Sequence, residues 1–193
     1  MVAIIALLVA VVLFRVLAPF AGPELANFSP LAALALCGAA WLPRRLALAL
    51  PLAALFVSDL ILNARYGASL FAPELWVRYA ALLLVCAIGF AIRNRRTPAL
   101  LLSGSLLGSV LFYVVTNSAS WLGNPAYAQT AAGWVQAMTV GIPTIQPAAW
   151  VFFRNAAVGD LLFTALFAGC MALTARRGAV RDAVPVAEGA AVR

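Results

Sequence analysis

Apolar runs approaching or reaching bilayer-spanning length, most of them ended by arginine or proline, dominate this chain and leave it few ways to fold. A helix needs about 20 apolar residues to cross a hydrocarbon core of roughly 30 Å. The runs predict helices at 2–18, 28–42, 45–63, 74–92, 98–116 and 156–175. Together they read as one all-α, six-helix transmembrane bundle over residues 1–177. One long connection, 117–155, joins the last two spans, and a small polar tail, 178–193, follows. The second run is short, which predicts a tilted or partly embedded helix. Asn27 or Ser29 is placed to cap it, with Pro30 near its first turn. Pro51 is a kink candidate inside the third run, and Thr130–Val140 a short helix inside the long connection.

With 65% hydrophobic and 10% charged residues and a mean hydropathy of +1.02, the chain is far from a soluble domain, where about 25% of residues are charged. The first run lacks a basic segment before it and is long enough to stay as an uncleaved span. All 13 basic residues are arginine, giving a net charge of +7. They gather at the ends of apolar runs, which is a topology signal and not a nucleic-acid footprint. Arg44, Arg45, Arg93, Arg95, Arg96, Arg176, Arg177 and Arg181 fall on one side. The sparser Arg65, Arg78 and Arg154 fall on the other. The basic-inside preference then puts both termini in the cytoplasm and the long connection outside.

Cys37, Cys86 and Cys170 all lie in apolar segments and read as small core residues. With no histidine, the usual zinc and haem ligand sets are out of reach, and no metal or cofactor is expected. Neither a nucleophile with a base nor a phosphate loop is present, which argues against an enzyme.

Against this apolar background stand Asp59 and Asp160. A carboxylate in hydrocarbon costs at least a few kcal/mol, so such residues face a bundle interior or a polar cavity. The topology puts each about one turn below the outer end of its span. Arg15, Arg78, Arg154, Asn63, Asn117 and Asn155 come to the same level. Two readings stand: an outward-facing pocket under the long connection as its lid, or structural ion pairs and helix caps. The aromatics Tyr66, Trp76, Tyr79, Trp121, Tyr127, Trp134, Trp150, Phe152 and Phe153 crowd the same side. They form either an interfacial belt or the walls of a site for a flat organic ligand. Small-residue faces, Gly104-xxx-Gly108, Ser105-xxx-Ser109 and Ala35-xxx-Ala39, mark close helix contacts within the bundle or against a partner.

Four motifs in order, Asn27-Phe28-Ser29-Pro30, Leu55-Phe56-Val57-Ser58-Asp59, Val115-Thr116-Asn117-Ser118 and Gly159-Asp160-Leu161-Leu162, are similar to those of small bacterial membrane proteins that resemble the substrate-binding S components of energy-coupling factor transporters. The resemblance covers about residues 25–170. It implies a six-helix protein of the bacterial inner membrane that binds a vitamin-like micronutrient near the outer face. It also implies a coupling subunit with two ATPases as partners, docked through Ala35 and Ala39, or action alone. The expected function is therefore substrate binding and uptake. Asp59, Arg78, Asn117, Arg154 and Asp160 would fix polar groups of the ligand, and Trp121, Tyr127, Trp134 and Phe153 would wall it. The rival reading is an accessory or assembly subunit that acts through helix–helix contacts.

Overall fold

A computed structural model describes residues 2–22, 25–67, 69, 72–142 and 147–183, and the side chains of these except 2–7, 19, 21, 66 and 175–183. The described residues form seven α-helices and no strand: α1 (Val2–Leu17), α2 (Leu31–Trp41), α3 (Arg44–Tyr66), α4 (Pro73–Ile92), α5 (Pro98–Gly123), α6 (Ala131–Met138) and α7 (Ala149–Ala183). A 3-10 turn, Ala18–Ala21, follows α1. Four helices, α3, α4, α5 and α7, are long and apolar enough to cross a membrane, and α1 and α2 are shorter apolar helices. The chain is thus a helical, multi-pass membrane protein by the length and composition of its helices.

Helix ends follow local chemistry. Thr97 caps α5 by accepting from the Leu100 amide at 3.3 Å, with Pro98 in the first turn. Thr130 does the same for α6 through Gly133. Gly67 closes α3 in the left-handed conformation, φ 66°, returning its N–H to the Asn63 carbonyl. α3 runs as one helix through Pro51.

Both boundaries of the long connection differ from the hydropathy reading. α5 continues to Gly123 and α7 begins at Ala149, so the connection expected over 117–155 shrinks to 124–148. Thr116 and Asn117 return their side chains to carbonyls one turn back, which keeps polar residues within the helix. Pro125, one residue beyond Asn124, blocks further extension, and Pro147 precedes the start of α7. α7 also runs into the expected tail as far as Ala183, and residues 184–193 lie outside the described set.

The core is organised around α2. Its 11 residues span about 16 Å at 1.5 Å per residue, half of what a crossing requires. Nine of the 11 are buried, and α2 touches α3, α4, α5 and α7. An all-round apolar helix is stable only when surrounded, and the run Leu31–Trp41 has no polar face to expose. Alanine and glycine let neighbours approach. A Cβ added to Gly89 of α4 would fall on the Leu36 carbonyl oxygen and within 2.7 Å of the Ala39 Cβ. Ala35 and Ala39, expected to dock a partner, are completely buried. Their face packs against neighbouring helices of the bundle.

The C-terminal end of α2 lies among the basic loops. Arg93 donates to the Leu42 carbonyl at 2.9 Å, and the Arg96 guanidinium sits 5.9 Å from the Trp41 ring centre. Its N-terminal end stops inside the protein, and the space beyond it is a cavity.

Candidate binding cavity

The cavity measures about 620 Å³. Ligand sites commonly run from about 300 to 1,000 Å³. Its floor is the first turn of α2, Leu31 and Ala32, with Asn27, Phe28 and Ser29 alongside. α1 contributes Arg15, α4 Arg78 and Leu82, α5 Ser109, Phe112, Tyr113, Thr116 and Asn117, and α7 Phe152, Ala156 and Asp160.

The segment before α2 is shaped by its own residues. Asn27 adopts a left-handed φ of 63°, which asparagine tolerates better than most side chains. Ser29 Oγ accepts from the Leu31 amide at 3.3 Å, which gives one orphan donor of α2 a partner. Phe28 packs on the bare backbone of Gly159, where an added Cβ would stand 3.3 Å from the ring. Phe28 also joins Phe14 and Phe163 in a cluster of rings 5.3–5.8 Å apart. Asn155 Nδ2 donates to the Ala26 carbonyl at 2.9 Å and ties α7 to the same segment.

Asp59 is 1% exposed and meets two arginines. Arg15 Nη2 donates to Oδ1 at 2.9 Å, and Arg78 Nη2 lies 3.7 Å from Oδ2. The ion-pair reading thus holds for Asp59, which binds α1, α3 and α4 together and stands behind the arginines, outside the residues that line the cavity. Asp160 is different. Ser109 Oγ lies 2.7 Å from its Oδ2, and the Ala33 backbone amide in the first turn of α2 also meets it. No ion pair joins Asp160 to the described residues. A carboxyl group at a helix N-terminus meets unpaired amides and the positive end of the helix dipole. Below it, Thr164 Oγ1 and Ser105 Oγ lie 3.2 Å apart, both buried. The Ser105-xxx-Ser109 face therefore serves polar contact with α7.

Of the residues expected at the site, Arg78, Asn117 and Asp160 line the cavity, while Trp121, Tyr127, Trp134, Phe153 and Arg154 are not among its described lining residues. The aromatics make contacts elsewhere. Trp121 Nε1 donates to the Ala128 carbonyl at 2.9 Å and Trp134 Nε1 to Ser118 Oγ at 3.0 Å. Both fasten the 124–148 connection to the end of α5. Tyr127 is buried in that connection, and desolvation pushes its phenol above the ordinary tyrosine range. Phe153 lies against Tyr113, ring centres 5.0 Å apart, and Arg154 stacks over Trp150 at 5.3 Å while bonding Asn155 Oδ1. Trp76 and Trp150 are half exposed or more, as members of an interfacial belt are.

Sequence reasoning missed Phe28, Ser109, Phe112 and Tyr113 as walls, whereas Arg15, placed at the level of the aspartates, and Phe152, one of the outer aromatics, both line the cavity. The available signal was the pairing of Asn27-Phe28-Ser29-Pro30 with Gly159-Asp160. Phenylalanine needs the glycine, and the broken helix start meets the aspartate.

Compared with known proteins, the sequence profile of DUF6580, a family of unknown function, matches residues 1–182. No curated protein and no solved structure matches.

Proposed function

The chain belongs to the DUF6580 family of unknown function over nearly its whole length, and we propose that it is a membrane substrate-binding protein for uptake of a small organic micronutrient. The observation that carries this reading is the cavity of about 620 Å³ at the blind end of α2, with Arg15, Arg78, Asn117 and Asp160 on its walls. Exposed charge inside a membrane bundle is expensive, and walls that hold both charge and aromatic rings suit a polar organic molecule.

In this reading α1 and α2 complete six membrane segments, with α2 as a half-span inside the bundle. Both termini are cytoplasmic in a bacterial inner membrane, because Arg44, Arg45, Arg93, Arg95 and Arg96 lie at the end away from the cavity. The cavity then opens outward beneath the α6 connection. The resemblance to S components supports the same arrangement, and transport follows from the bundle changing its exposure, alone or with a coupling subunit and its ATPases. Such a partner meets a face other than Ala35 and Ala39.

Purified full-length protein, screened by thermal unfolding against vitamins, amino acids and their precursors, tests the reading. A concentration-dependent rise in Tm that Asn117→Ala abolishes supports it. No stabilisation across the panel, with no small molecule carried through purification, rejects it.

A further inference from the structure

Charge of both signs lines the cavity, and the signs sit on different helices. On the α1 and α4 side, Arg15 and Arg78 share the single carboxylate of Asp59. Two positive charges against one negative leave that group with one positive charge in excess. Asp59 is sealed at 1% exposure, whereas the Arg15 and Arg78 side chains keep 17% and 31% and line the cavity. The Nε atoms of both are buried without a hydrogen-bond partner among the described residues, so it is the exposed part of each guanidinium that faces the cavity. A guanidinium is always ionised and carries five donors in a planar fork, so one carboxylate behind the pair leaves donors for an anion in front.

On the α5 and α7 side stands Asp160, met by one serine hydroxyl and one backbone amide and by no cation among the described residues. A buried carboxyl group of this kind is matched by a ligand that brings its own cation.

We propose that the cavity selects a small zwitterion, its anionic group against Arg15 and Arg78 and its protonated amine against Asp160. The inference rests on the small-molecule reading above and adds the charge pattern the ligand carries. A monoanion leaves Asp160 uncompensated, and a monocation adds charge beside the arginine pair. A zwitterion neutralises both ends without bringing net charge into a low-dielectric site. Phe112 and Phe152 supply apolar wall for the body between its two charged ends.

The test uses matched triplets that share one aromatic body, measured on the purified full-length protein in lipid nanodiscs. The probes are tryptophan, tryptamine and indole-3-propionate, then phenylalanine, phenethylamine and 3-phenylpropionate. In at least one triplet the zwitterion binds about 30-fold or more tightly than the amine or the acid, the size expected when one partner of a buried charge pair is missing. Arg78→Gln brings the zwitterion down to the amine and leaves the amine unchanged. Asp160→Asn brings it down to the acid and leaves the acid unchanged. The wild-type comparison stands even where a variant fails to fold. An acid or amine that binds as well as its zwitterion overturns the proposal. So does an equal loss of all three ligands in Asp160→Asn, which is what a purely helix-capping aspartate gives. Silence of both triplets while only compounds of the wider panel that are not zwitterions bind overturns the zwitterion and keeps the binding reading. Silence of everything removes both.

Discussion

Removing the carboxylate of Asp59 leaves Arg15 and Arg78 close together with no negative charge between them. The Asp59→Asn protein is expected to lose about 3 kcal/mol of stability, the usual result of stripping one member from a buried ion pair. Arg78→Gln is milder, under about 1 kcal/mol, because Arg78 is 3.7 Å from the carboxylate and 31% exposed. Thermal unfolding of both variants in the same detergent checks the order. Equal losses would mean that Arg78, despite its longer contact, carries as much stability as the whole Asp59 carboxylate. That the two aspartates matter was legible in the sequence, since each interrupts an otherwise apolar run. Their separate roles were not. Arg15 reaches Asp59 from 44 positions away and Ser109 reaches Asp160 from 51, and hydropathy does not encode such pairings.

Close packing of α2 against α4 depends on one missing side chain. Gly89→Leu is expected to push the helices apart and destabilise the protein by about 1–3 kcal/mol or more, as overpacking does. A Tm equal to wild type would mean that α2 moves freely in its sleeve. Gly159→Val acts at the cavity edge, where it displaces Phe28. It is expected to reduce ligand-dependent stabilisation more than stability itself, read as the change in Tm with and without a bound compound. The α6 connection answers to a smaller lever. Ser118→Ala removes the acceptor of Trp134 Nε1, and amide exchange is expected to quicken in α6 while that of α2 stays unchanged. From sequence the tryptophans suit either task, because aromatics near a membrane surface serve as cavity walls or as interfacial anchors. What decides between the tasks is the direction of the indole N–H, and that depends on the neighbouring helix.

The distribution of arginine over the whole molecule predicts its orientation. With Cys170 replaced by serine and Cys37 and Cys86 buried, a cysteine at Asn94 is expected to react with an impermeant maleimide only from the cytoplasmic face. One at Ala126 is expected to react only from outside. Labelling of both from one side would overturn the proposed topology. Apolar run length and arginine placement determined by themselves that this chain is a helical membrane protein, because backbone polar groups in hydrocarbon must be satisfied within each segment. The sequence also marked Arg78, Asn117 and Asp160. Only the tertiary structure decided that Leu31–Trp41 is a buried half-length helix and that its blind end leaves a cavity. It also decided that Asp59 stands behind a pair of arginines, while Asp160 meets the start of that helix. The physical reason is that hydrophobic length is a property of each segment alone. A cavity is a property of where several segments fail to fill space together, and a charge is satisfied only by whatever the packing brings to it.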